Sequence, residues 1–399
     1  MKDKTRCVVT PEPELSGFRS LAPATYRAST IVFSDAHAYA TRGERGIDGY
    51  SYGLYGTPTT RMLCDKLTGL AGAARCLLVP SGQGANAIAA MAVVSAGDHV
   101  LITDSAYPAM RSFADLDLAR SGVEVEYYDP TSVADLKRRL RPNTRLVWCE
   151  SPGSSTMEVQ DLPDIVAVAH AAGALVGCDN TWSTSLLLKP HRFGVDIVTE
   201  ALTKYAGGHS DLLMGAITFS SDEVAKTVRA FIGRAGIGVS PDDATLVLRG
   251  METMALRMSH AAVTAESLIG RLLDHRAIAE VLWPPLPTSP GHAIWQRDFI
   301  GASGVFSVLL ADGFSQNLDA ALDAMKTFLI GASWGGTRSL VAPMSVGEWR
   351  TVRPWEREDL IIRFSVGLED VSELEADLDA FLAALCGQKT TTGDATPAV

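Results

Sequence analysis

The chain has 399 residues, 47% of them hydrophobic and 20% charged, with a formal net charge of −11. That length exceeds one ordinary core, and the composition is that of an ordered protein, so a large and a small globular domain are expected. The acidic balance argues against nucleic acid or an anionic membrane as the main partner.

Residues 1–56 are rich in Pro, Gly, Ser and Tyr and show no strong helical period. They open without the apolar core of a secretory signal. From about 57 to 220 short apolar runs alternate with helix-length segments. The predicted strands are Cys76–Val79, His99–Thr103, Glu124–Tyr128, Leu146–Glu150, Leu175–Cys178, Asp196–Leu202 and Gly215–Phe219. Helices are expected between them, at Asn86–Ser95, Ser112–Ser121, Thr131–Leu140 and Leu162–Ala172. Strands apolar on both faces indicate an α/β fold with a mostly parallel sheet covered by helices.

Past residue 240 the pattern changes. A long helix, Ala244–Leu273, leads through the proline-rich WPPLPTSPG into strands Val305–Leu310 and Leu360–Val366 among helices Leu318–Phe328 and Glu373–Leu385. The expected division is an arm over 1–56, an α/β domain over 57–243, a smaller α+β domain over 244–387 and a polar, disordered tail over 388–399. The longest apolar run, Ala87–Ala96, has half the length needed to span a bilayer. Six cysteines lie scattered without metal-ligand spacing, as in a cytoplasmic protein lacking structural disulfides.

Ligands of open parallel sheets bind at the carboxyl ends of the strands. Asp179 follows one predicted strand and Lys204 the next, 25 positions on. The turn SGQGA, Ser81–Ala85, opens a helix whose first amides, at Gly82 and Gln83, can point at an anion. Tyr107 lies in the loop after His99–Thr103. Alone, Lys204 reads as a solvated strand tip, Asp179 as a cap, Tyr107 as packing and SGQGA as an ordinary turn. Together they match what pyridoxal 5'-phosphate (PLP) needs: an amine, a carboxylate for the ring nitrogen and a cradle for the phosphate. Nucleotide binding has little support, because neither GxGxxG nor GxxxxGK[ST] occurs in the required context.

The motifs YGLYGTPTT (52–60), TDSAYPAMRSF (103–113), ESPGSSTMEVQDLP (150–163), CDNTW (178–182), ALTKYAGGHSD (201–211), GHAIWQRDFIGASGVFS (291–307), SWGG (333–336) and IRFSVGLEDV (362–371) run from about residue 20 to 385. In order and spacing they resemble the Cys/Met-metabolism family of fold-type-I PLP enzymes. The resemblance implies that Lys204 is the Schiff-base lysine and proton shuttle, that Asp179 partners the pyridine nitrogen, and that Tyr107 stacks on the ring. It further implies that Thr203 and the amides of Gly82 and Gln83 contact the phosphate and that Arg363 grips the substrate carboxylate. Ser333 and Trp334 match the loop lining the substrate pocket. Tyr52 matches a tyrosine that reaches a neighbouring subunit's phosphate, so a homo-oligomer is implied, a dimer at least and commonly a tetramer.

Three positions depart from the family pattern. Leu54 stands where an arginine usually meets the neighbour's phosphate, implying a substitute donor or looser cofactor binding. Tyr55 replaces a common Arg or His, and Arg338 stands where an acidic residue is usual. ESPGS and SWGG resemble β-lyases, implying β-elimination from cystathionine or another cysteine S-conjugate to a thiol, pyruvate and ammonia. The alternatives are γ-replacement or γ-elimination on a homoserine derivative or cystathionine, and a non-catalytic PLP-binding relative.

Overall fold

Seven strands build the larger sheet: β1 (Arg75–Val79), β2 (His99–Thr103), β3 (Glu124–Tyr128), β4 (Thr144–Glu150), β5 (Leu175–Asp179), β6 (Ile197–Ala201) and β7 (Gly215–Phe219). This computed structural model describes residues 1–10, 17, 20–355 and 360–387, so the tail expected over 388–399 lies outside the described residues. The strand order is β1-β7-β6-β5-β4-β2-β3, with β7 antiparallel to both neighbours and the other pairs parallel.

Period-two alternation explains why these strands are apolar throughout. Leu77, Val79, Val100, Ile102, Leu146 and Trp148 pack under helices Gly82–Val93, Pro108–Phe113 and Asp222–Ala235. Cys76, Leu78, Leu101, Val147 and Cys149 point the other way, toward helices Pro58–Ala71, Leu162–Ala171 and Pro241–Leu272. Both faces are therefore covered, and the sheet's carboxyl edge is what remains open.

Five further strands, β8 (Ile278–Leu282), β9 (Val305–Leu310), β10 (Leu329–Ile330), β11 (Leu340–Met344) and β12 (Ile361–Ser365), form a second sheet in the order β10-β11-β12-β9-β8. All its pairs are antiparallel except β10 with β11. Phe364 anchors it, stacked on Phe306 at 5.3 Å and meeting Phe328 and Phe381 edge-on.

Several boundaries differ from the expectations. The helix expected over Asn86–Ser95 begins at Gly82, because Ser81 accepts the Gly84 N–H and caps it. The long helix starts at Pro241 rather than Ala244, with Ser240 as its cap and proline in the first turn, where no N–H is needed. The arm, expected to be irregular, contains a helix at Asp3–Val8 whose Cys7 is fully buried. Tertiary packing supports it, since six residues are too few to hold a helix alone. β11 escaped detection because Pro343 interrupts its pattern. All six cysteines are free. Among the described residues no helix is long and apolar enough to cross a membrane.

Candidate active site

The carboxyl ends of β4, β5 and β6 meet the start of helix Gly82–Val93 at a cleft of about 1060 Å³, including its open mouth. Glu150 ends β4 and Asp179 ends β5, opposite each other in register. Thr203 and Lys204 lie in the turn after β6, and Tyr107 immediately precedes helix Pro108–Phe113. The second sheet closes the cleft from the other side with Arg363 on β12 and the turn of Ala332 and Trp334. Of the expected site residues, Gly82, Gln83, Tyr107, Asp179, Thr203, Lys204, Trp334 and Arg363 all line this one cleft.

Lys204 Nζ donates to Ser333 Oγ at 2.7 Å and sits 5.3 Å from the Trp334 ring centre. Burial and the nearby Arg363 charge bring its amine down to about 8, against some opposition from Asp179. This lysine therefore gives up its proton more readily than an exposed one, although it is still mostly protonated near physiological pH. Asp179 accepts from Asn86 Nδ2 at 2.9 Å, Thr181 N–H at 3.0 Å and Thr181 Oγ at 2.5 Å. Asn86 is fixed in turn by Thr199, and the Thr181 hydroxyl accepts the Ala201 N–H. Burial still raises the Asp179 carboxyl, which these bonds and Lys204 only partly offset. Glu150 is raised further, first by burial and then by the Asp179 charge, while its Oε2 accepts the Tyr107 N–H at 2.6 Å. Arg363 is buried, donates to the Ala332 carbonyl and is lowered by desolvation. The Thr203 hydroxyl is engaged with both backbone groups of Met214.

The residues fit PLP. A Cβ at Gly82 would fall 2.3 Å from that of Ala201, so only glycine lets the helix start pack against the end of β6. Its amides then meet the cleft where a phosphate can use them. Gln83 lines the same place, with a buried Oε1 that has no hydrogen-bond partner among the described residues. The raised Asp179 gains most from a cationic partner, as a protonated ring nitrogen is.

Other expected residues lie elsewhere. Tyr52, half-exposed, does not line its own chain's cleft. Leu54 packs against Gly238, and the Tyr55 carbonyl receives Arg61 and Arg229, whose guanidinium stands 4.3 Å over the Tyr55 ring. Arg338 is exposed and paired with Glu369 at 3.1 Å. Sequence reasoning missed Glu150, Asn86 and Thr181. Glu150 satisfied the same strand-end rule as Asp179, whereas nothing local marks Asn86, inside an apolar helix, as a carboxylate partner.

A buried amine with a weakened hold on its proton, beside a helix start whose first amides face the cleft, suits a carbonyl cofactor bearing a phosphate, as in the α/β PLP-dependent enzymes. The chain belongs to the Cys/Met metabolism PLP-dependent enzyme family, whose sequence pattern matches residues 4–383. It is 39% identical over 386 residues to an L-alanine/L-glutamate racemase of Wolbachia pipientis, covering 94% of this chain and 95% of that one. It is 37% identical over 367 residues to the cystathionine beta-lyase MetC of Escherichia coli, covering 90% and 92%. The crystal structure of metB from Corynebacterium glutamicum superposes with a TM-score of 0.89 at 26% identity, over 96% of this chain and 98% of that one.

Proposed function

We propose that the protein is a carbon–sulfur β-lyase that cleaves cystathionine or a related cysteine S-conjugate to a thiol, pyruvate and ammonia. One observation carries this reading: the Lys204 amine, brought to about 8, shares a cleft with Asp179 on one side and Arg363 on the other. The E. coli relative's name and the β-lyase-like ESPGS and SWGG segments favour β- over γ-chemistry.

When bound, PLP supplies a ring that accepts electrons from the substrate α-carbon. Lys204 would hold the cofactor through its Nζ. Asp179 would keep a proton on the ring nitrogen, Tyr107 would pack on the ring, and the Gly82 and Gln83 amides would hold the phosphate, joined by Thr203 if its hydroxyl turns from the Met214 carbonyl. Arg363 fixes the substrate carboxylate through its guanidinium fork, setting the direction of the Cα–H bond. The Nζ of Lys204, whose hold on a proton is weakened by burial, would take the Cα proton and pass one to the departing sulfur. Ser333 holds that nitrogen in place, and Trp334 walls the substrate side.

The division into 1–56, 57–243 and 244–387 is part of the proposal. The arm brings Tyr52 to a second copy's phosphate, which makes the active unit a homo-oligomer, and the protein works in the cytoplasm. The test incubates the holoenzyme with cystathionine and S-substituted cysteines and measures pyruvate, thiol and 2-oxobutyrate. Pyruvate with an equal amount of thiol is expected. Dominant 2-oxobutyrate, a thioether from O-acetylhomoserine plus thiol, or D-alanine from L-alanine without pyruvate would replace the β-lyase reading.

A further inference from the structure

Lys204 belongs to a turn, and part of what fixes that turn lies behind the cleft. The Gly207 N–H donates to the Leu202 carbonyl and the Gly208 N–H to the Lys204 carbonyl, both at 2.7 Å, so residues 202–208 form one tight coil. Its far side rests on helix Pro241–Leu272. A Cβ at Gly250 would fall 2.2 Å from the Gly207 carbonyl oxygen, so the helix meets the backbone of the turn there. Two helical turns further on stands Arg257, buried and outside the cleft lining. Its Nη2 donates to the Tyr205 and Gly250 carbonyls, each at 2.7 Å, and its Nε to the Thr253 hydroxyl at 3.0 Å. The guanidinium lies flat against Gly208, where φ is +72° and a Cβ would fall 2.0 Å from Nη1.

A buried cation whose acceptors are a hydroxyl and two backbone carbonyls is costly to desolvate. An apolar side chain of similar length would fill the same space without that cost, but it could not bond the Tyr205 carbonyl. Tyr205 directly follows Lys204, and its ring packs 5.5 Å from that of Trp334 on the cleft wall. We propose that Arg257 is a positioning residue for the Lys204 amine: by bonding the Tyr205 carbonyl and packing on Gly208, it seats the turn on the long helix and keeps Nζ inside the cleft. The duty of Nζ as proton carrier rests on the β-lyase reading. The seating of the amine does not depend on which bond the enzyme breaks.

Arg257→Met keeps the length of the side chain and removes its hydrogen bonds. In the holoenzyme, kcat for pyruvate release from L-cystathionine is expected to fall about tenfold or more, since a small misplacement of a reacting group is enough for that. KM is expected to change by less than about threefold, because Arg363, on β12, is untouched. The deciding readout is the pH midpoint of Lys204 acylation in the cofactor-free full-length protein, followed by mass spectrometry. Burial holds that midpoint low, and an amine released toward water is expected to titrate about half a pH unit or more higher. A loss of stability alone reduces the folded fraction and leaves the midpoint of the folded protein where it was. Thr253→Val, which frees only Nε, repeats the test with little risk to the fold and is expected to lower kcat about threefold and raise the midpoint. An unchanged midpoint in every variant that folds overturns the proposal, whatever happens to kcat. If the midpoint rises while no sulfur substrate yields pyruvate even in the parent protein, the β-lyase reading fails and the positioning role stands.

Discussion

Asp104, just past β2, and Asp179, at the end of β5, are carboxylates at the carboxyl edge of the same sheet, yet their surroundings drive them in opposite directions. Asp104 accepts from Arg111 at 3.0 Å, from the N–H groups of Thr351, Val352 and Arg353 at 2.9, 3.2 and 3.1 Å, and from the Thr351 hydroxyl at 3.0 Å. Burial raises it, but the Thr351 and Arg353 amides and the Arg111 and Arg350 charges outweigh burial and hold it below the usual range. Asp179 has three neutral donors, and burial prevails. The first carboxylate has found every partner within the chain and clamps the loop before β12 onto the large sheet. The second retains capacity for a cation the chain does not provide. A functional carboxylate is distinguished here by incomplete bonding, not by burial.

The strongest way to break this contrast lies at the amine the cleft serves. Lys204→Ala is expected to lower C–S cleavage by about 10³-fold or more, roughly 4 kcal/mol. Pyruvate release and the visible absorbance of bound cofactor report it, and survival of both refutes the assignment. Asp104→Asn leaves the buried Arg111 without its counter-charge and is expected to cost about 3 kcal/mol of stability. A urea titration at fixed protein concentration reads this, and a loss below about 1 kcal/mol would put Asp104 in the same class as Asp179.

Asp179→Asn should behave in the opposite way. Stability of the cofactor-free protein is expected to move by less than about 1 kcal/mol, while turnover falls about 10²-fold. Equal effects on both properties would erase the distinction. The pH dependence sharpens it. Because the folded-state value of Lys204 lies below its unfolded value, the native state holds fewer protons between about 8 and the normal lysine range, so its contribution to stability rises with pH across that window. Acylation of Lys204 in the cofactor-free protein, followed by mass spectrometry, is expected to have its midpoint near 8. Asp104 carries the opposite signature: its contribution is full above the ordinary carboxylate range and is lost as pH falls through its depressed value. The smallest effect belongs to Arg338→Ala, an exposed pair with Glu369, for which a stability change within about 0.5 kcal/mol and unaltered kcat/KM are expected.

Much of the large sheet was legible because each strand is a short apolar run bounded by helix-length polar spacing, and the seven runs correspond to β1–β7 within one or two residues at most ends. The cleft residues were legible where a strand-end position coincided with an unusual residue, as at Asp179 and Lys204. β8, β10 and β11 were not, because two lie beside proline-rich or glycine-rich turns and one contains Pro343. The Asp104 clamp was equally hidden, since its partners are backbone amides almost 250 positions away.

By itself, then, the order of residues determined the alternation of elements, the covered sheet and the family, because periodicity and motif spacing are local properties of the chain. Only the folded structure decided which charges are already neutralised and which are left for a ligand. That outcome depends on distances between segments far apart in sequence, and on how completely water is excluded from each.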